Sequence, residues 1–89
     1  MIVEFDRSFD KSLNKIQDPT ILRRLRRVII QLENSPSLLQ VPNIVKLTGY
    51  TDYYRIRIGD YRVGIEVINS TTIRFIIIAN RKNIYKNFP

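Results

Sequence analysis

From Pro19 to Glu33 the apolar residues Ile21, Leu22, Leu25, Val28, Ile29 and Leu32 recur every three or four positions, the spacing of one face of an α-helix. Asp18 before Pro19 offers a cap and a preset first turn, and Asn34-Ser35-Pro36 ends the pattern. A shorter helical stretch with Phe9, Leu13 and Ile16 follows Asp6 and Ser8, either of which can cap it. "IVEF" ahead of it reads as a short first strand. So brief a connection makes the two helices an antiparallel hairpin, each with a single stripe to bury. Residues 35–52, with Pro36, Pro42 and Gly49, read as a loop holding one brief extended element, "IVKLTG". Beyond it the period falls to two. Tyr54, Ile56 and Ile58 alternate with Arg55 and Arg57, and Tyr61, Val63, Ile65 and Val67 alternate with Arg62, Gly64 and Glu66. "TIRFIIIAN" is apolar on both faces from Phe75 to Ile78, as suits a central strand. These patterns predict an α+β fold, a two-helix hairpin packed on one face of an antiparallel sheet of about four strands, with a basic concavity on the opposite face.

Hairpin loops extend the reading to register. A two-residue loop at Gly59-Asp60 sets Arg57 opposite Arg62 and Arg55 opposite Gly64, so three arginines share one face beside a gap that glycine leaves unfilled. For the next hairpin, a two-residue loop would put Arg74 opposite Ile65 on the buried face. A three-residue loop, Asn69 to Thr71, instead pairs Arg74 with Glu66 and Ile73 with Val67, and is the expected one. It leaves Glu66 matched elsewhere and the arginine trio without a counter-charge.

At 89 residues the chain is expected to be one domain, 1–89, burying about 60–65% of its extended surface. It has no cysteine and no histidine, so disulfides, a thiolate nucleophile, the usual zinc sites and the usual neutral-pH general base are excluded. A formal charge of +7 calls for an anionic partner. The excess is uneven: residues 1–44 carry 7 basic and 5 acidic side chains, residues 45–89 carry 8 and 3. Glu4 and Asp6 interrupt the only early apolar stretch, and no run reaches transmembrane length. A cytoplasmic protein with no membrane partner is expected.

Opposed arginines repel unless an anion lies between them, which makes Arg55, Arg57 and Arg62 a candidate phosphate site. Arg23, Arg24, Arg26 and Arg27 on the second helix form either a solvated face or a contact to a phosphate backbone. Ile30 falls on the same outer face and hints at a partner surface. In "NRKNIYKNFP", Arg81 and Tyr85 are four residues apart and converge if the tail turns helically; otherwise Ile84, Tyr85 or Phe88 closes the core.

The element order, with "KLTGYTDYYRIRIGDYRVGIEV" and the closing "IIIANRKNIY", resembles the RelE/ParE superfamily of bacterial toxins from type II toxin–antitoxin pairs. The joint pattern is K-L-x-G, then Y-[KR]-[IL]-[KR], then G-[DS]-Y-R, then a last strand ending in a basic residue and a tyrosine. The resemblance implies a RelE-like fold and, for the RelE branch, a ribosome-dependent mRNA endoribonuclease that activates the ribose 2′-hydroxyl in the A site without metal or cofactor. It implies catalytic roles for Arg55 and Arg57, where the branch has lysines, and for Arg62, Arg81 and Tyr85. The ParE branch, which acts on DNA gyrase, generally lacks this set, and a degenerate, non-catalytic antitoxin-binding module is a further alternative. Implied partners are a cognate antitoxin with an acidic or partly disordered segment, mRNA in the ribosomal A site and ribosomal RNA, with operator DNA reached only through the antitoxin.

Overall fold

Asp18 accepts a hydrogen bond from the Thr20 amide at 2.9 Å and opens a helix over Pro19–Glu33 that Asn34 closes. In the computed structural model, which describes residues 1–89, this is α2; the full order is β1 (Ile2–Phe5), α1 (Arg7–Leu13), α2, β2 (Ile44–Lys46), β3 (Tyr53–Ile58), β4 (Tyr61–Val67), β5 (Thr72–Asn80) and α3 (Ile84–Asn87), with a 3₁₀ turn at Leu38–Gln40. Asp6 caps α1 through the Ser8 amide at 3.0 Å. The helix stops at Leu13, short of the periodic pattern. The Lys15 and Ile16 amides tighten onto the Ser12 and Leu13 carbonyls, and Ile16 is buried from the turn rather than from the helix.

The fold is α+β as expected, but the sheet has five strands and is mixed. Its order is β1-β5-β4-β3-β2, and β1 runs parallel to β5. The extended element in the long loop forms β2, antiparallel to β3 at the far edge. Both edge strands are too short for alternation to reveal their direction or neighbour, which only the strand order decides. Both hairpin registers are as predicted: Arg57 faces Arg62 and Arg55 faces Gly64, while Glu66 faces Arg74 and Val67 faces Ile73.

The pairing of β4 with β5 slips once, between Gly64 and Ile65, leaving Ile76 as an extra residue. This bulge returns both Phe75 and Ile78 to the core face. It lies where β1 has ended and one edge of β5 would be open. Helix α1 covers that edge. Ser8 donates to the Ile76 carbonyl, and Ser12, one turn on, accepts from the Ile78 amide at 3.0 Å.

Fourteen buried apolar residues form the core between the helices and the sheet. Leu32, Ile56, Val63, Ile65, Ile73 and Phe75 have no exposed surface, and Phe5, Phe9 and Phe75 pack at 5.3–5.6 Å between ring centres. Leu22 lies at the margin of the α2 stripe and is exposed, as is Ile30 on the outer face. The opposite sheet face is not wholly a basic concavity. A second cluster of Leu47, Ile84 and Phe88, flanked by Tyr53, Ile76 and Ile77, covers its middle, because the apolar outward residues of β5 need a cover of their own.

Two outcomes follow for stability. Leu25 is 4% exposed within the core, so Leu25→Ala is expected to lose about 2–5 kcal/mol in denaturant unfolding, against about 0.5 kcal/mol or less for a surface change. The Asp6 carboxyl is held below the ordinary carboxylate value, first by the Ser8 hydroxyl and then by the Ser8 amide. A lowered value in the folded state means that this contribution is complete above the ordinary value and is lost as pH falls through the lowered one. Ser8→Ala should move the Asp6 titration, followed by NMR, upward toward the ordinary value.

A basic groove on the outer sheet face

The Gly59-Asp60 turn needs a left-handed residue, and Gly59 supplies it at φ +59°. The register that follows projects Arg55, Arg57 and Arg62 from one face of β3 and β4. The loop before β2 completes the site. Asn43 takes a left-handed conformation, φ 64°, and its carbonyl accepts from the Arg57 amide at 2.9 Å, which lays β2 along β3 with Val45 opposite Arg55. The result is a groove of about 310 Å³ whose floor is the three arginines and whose other wall is formed by Asn43, Val45, Lys46 and Thr48.

No carboxylate lines this groove. Both ion pairs of the protein belong to Arg74, 3.1 Å from Glu4 and 3.9 Å from Glu66, so Glu66 is engaged at the other end of the sheet face. Three arginine side chains therefore share this face without an internal counter-charge, while Lys46, paired with Tyr54, lines the groove from the edge of β2. In so small a volume they attract an anion strongly, and arginine presents planar, paired donors suited to phosphate oxygens.

The three arginines are held differently. Arg62 is half-buried, and its Nη1 donates to the Gly59 and Tyr61 carbonyls at 2.9 Å each, which anchors one end of the guanidinium on the turn and leaves the rest free. Arg57 is exposed, and its side chain makes no hydrogen bond within the protein. Arg55 is half-buried, its guanidinium carbon lies 4.5 Å from the centre of the Tyr85 ring, and its buried Nε has no partner.

Tyr85 thus joins the groove through Arg55, and the residue is 69% exposed. Arg81 stands on the rim. Its amide donates to the Asp60 carbonyl at 2.8 Å, placing it beside the turn that Arg62 grips, but its exposed side chain does not line the groove. The gap expected beside Gly64 is closed. A Cβ built on Gly64 would lie 2.5 Å from Phe88 Cγ, so the ring of Phe88 occupies that space and the groove opens toward β2 instead.

Asn43 and Thr48 are groove residues that the sequence does not point to, and Lys46 enters there only as the first residue of the K-L-x-G pattern, although "NIVKLTG" follows a proline at the start of the extended element. Arg24 and Arg27 also border the site. They line a second depression of about 180 Å³ that shares Asn43 and Arg57 with the groove, whereas Arg23 and Arg26 lie outside it.

The family model described as the ParE toxin of the type II toxin–antitoxin system parDE matches residues 3–85. The chain belongs to the RelE/ParE superfamily of toxins. Toxin RelE3 of Methanocaldococcus jannaschii is 43% identical over 90 residues, covering 100% of both chains. A chain of the RelB–RelE antitoxin–toxin complex from Methanococcus jannaschii matches this toxin at 42% identity with a TM-score of 0.82, over 97% of this chain and 99% of that one. A chain of the archaeal RelE–RelB complex from Pyrococcus horikoshii matches at 28% identity and a TM-score of 0.71, over 90% and 93%.

The toxin's groove should bind polyanions by charge. Arg57→Glu is expected to lower affinity for heparin or an RNA oligonucleotide and to reduce the slope of log affinity against log salt by about one or more, whereas Glu66→Gln, matched to Arg74, should leave that slope unchanged. Fluorescence anisotropy across a salt series measures both.

Proposed function

We propose that this toxin is a ribosome-dependent endoribonuclease that cuts mRNA in the A site and stops translation. The observation that carries this reading is the groove itself, three arginines on one strand face with no carboxylate, edged by a tyrosine. In the proposed step the ribose 2′-oxygen attacks the adjacent phosphorus. The bond from 2′-oxygen to phosphorus forms as that from phosphorus to the 5′-oxygen breaks, leaving a 2′,3′-cyclic phosphate and a 5′-hydroxyl. Arg57 and Arg62 neutralise the negative charge that builds on the phosphorane, Arg55 orients the phosphate, and Arg81 on the rim steadies the leaving 5′-oxygen. The leaving 5′-oxygen takes a proton from water or through the Tyr85 hydroxyl to become the 5′-hydroxyl, and the Tyr85 ring can also stack on a base.

Arginine stays protonated, so none of the three acts as the base. The 2′-hydroxyl proton leaves to a group of the ribosome or the mRNA, and the chain contributes position and charge. With no histidine or cysteine in the chain and no carboxylate in the groove, the residues present are not those that hold a catalytic divalent ion. We further propose that an antitoxin with an acidic, partly disordered segment restrains the toxin in the cytoplasm. Support comes from the RelB–RelE complexes among its structural relatives and from the charge excess of its strands. The ParE name of the matching family model favours one second reading, a gyrase-directed toxin that uses the same basic face for docking.

Cleavage of an A-site codon on programmed ribosomes decides between them. Arg62→Ala is expected to slow cleavage by about two to three orders of magnitude. Circular dichroism should meanwhile show a folded chain. Because the base lies outside the toxin in this reading, Arg57→Lys should keep the pH dependence of cleavage unchanged; a faster rate with a steeper pH dependence would show instead that the want of an ionisable base on the toxin limits the wild type. Full activity of Arg62→Ala removes the arginine from the chemistry. Inactivity of the wild type, with gyrase inhibited instead, replaces the reading altogether.

A further inference from the structure

A long arginine in the middle of a strand does not hold one position unless something outside the strand holds it. For Arg55 that support comes from α3, and α3 is a single turn of four residues, too short to persist alone. Its place is set by what it buries. Ile84 has no exposed surface and Phe88 is 4% exposed, and both pack with Leu47 against the outer face of the sheet. Phe88 also meets the Tyr53 ring edge-on at 5.5 Å, and its amide donates to the Ile84 carbonyl at 3.0 Å.

The closest approach is at Gly64. A Cβ there would lie 2.5, 2.6 and 2.7 Å from Cγ, Cδ1 and Cδ2 of Phe88, contacts that essentially no side chain tolerates. Gly64 is directly opposite Arg55 across the β3–β4 pair. Between the two anchors of α3, Tyr85 points outward and sets its ring 4.5 Å from the Arg55 guanidinium carbon. Phe88 on bare backbone, Tyr85 over the arginine and Arg55 at the groove therefore form one chain of contacts.

We infer that Gly64 and Phe88 are positioning residues of this site: the missing side chain at Gly64 seats Phe88, and that seat fixes Tyr85 over Arg55 so that the guanidinium meets the scissile phosphate. The inference rests on the reading of the groove as the place where RNA is cut. Neither residue touches substrate. Their effect runs through Arg55 and Tyr85, and a displacement of about 1 Å at such a group costs on the order of a hundredfold in rate.

The test uses the full chain in two measurements. NMR of arginine-labelled protein reads the upfield ring-current shift of the Arg55 side-chain protons, assigned by its loss in Tyr85→Leu. Programmed ribosomes give the single-turnover cleavage rate and the half-saturating toxin concentration. Phe88→Ala and Gly64→Ala should each abolish the Arg55 shift while the core methyls of Val63 and Ile65 keep theirs. Cleavage should slow by about a hundredfold, with half-saturation changed by about threefold or less. The double variant Gly64→Ala/Phe88→Leu, whose smaller side chain clears the added Cβ, should recover part of the rate. Phe88→Leu alone is the milder variant if Gly64→Ala does not fold. An Arg55 shift that survives both Phe88→Ala and Phe88→Leu overturns the inference, as does full cleavage after the shift is lost. A wild type that cuts nothing refutes the endonuclease reading, and the Arg55 shift alone then decides whether the seat exists.

Discussion

Arg57 and Arg62 lie opposite each other across the strands because a two-residue turn with a left-handed glycine leaves no other register. Like charges directly opposite each other destabilise a hairpin by a fraction of a kcal/mol to about 1 kcal/mol, and no carboxylate on the same part of the sheet offsets it. The apolar side chains on the other face do. Ile56, Ile58, Val63 and Ile65 are buried beneath α2 in that register, and a slip by one residue would turn all four into solvent. Core burial thus holds the arginines together against their repulsion. The groove is a place where an anion relieves a strain already built into the folded chain.

The rest of the outer face respects that charge. Its acidic residues are drawn to the far end, where Arg74 lies between Glu4 and Glu66. Its middle is sealed by the apolar cluster around Phe88. Between an end neutralised by carboxylates and a middle covered by that cluster, the arginines of β3 and β4 lie together without an ion pair beside β2. Helix α1 contributes from the opposite layer, since Ser8 and Ser12 satisfy the backbone at the β5 bulge and so allow Ile76 and Ile77 to lie under that apolar cluster.

Features governed by local chemistry could be read from the chain. The caps at Asp6 and Asp18, the α2 stripe, both hairpin registers and the engagement of Glu66 with Arg74 each depend on a few neighbouring residues, and each is found. What depended on long-range packing could not be read in the same way. The parallel pairing of β1 with β5 joins residues some seventy positions apart. The space beside Gly64 looked open because alternation counts side chains on strands and does not see Phe88 arriving from the tail. The groove's second wall is hidden for a related reason: a three-residue strand is too short to show a period, so that wall emerges only once β2 is docked on β3.

The choice of arginine over lysine on this floor has a consequence of its own. Crowded lysines relieve repulsion by losing protons, so a lysine floor softens its charge as pH rises and can supply a base. Arginines cannot do this, and the floor keeps its charge throughout the range in which a protein stays folded. The repulsion between Arg57 and Arg62 therefore has only two outlets, the hydrogen bonds with which Arg62 grips the turn carbonyls and an external anion. Phosphate bound there meets a field that does not weaken as it arrives. Such a floor stabilises added negative charge most when that charge is greatest, which along a phosphoryl-transfer path is near the transition state.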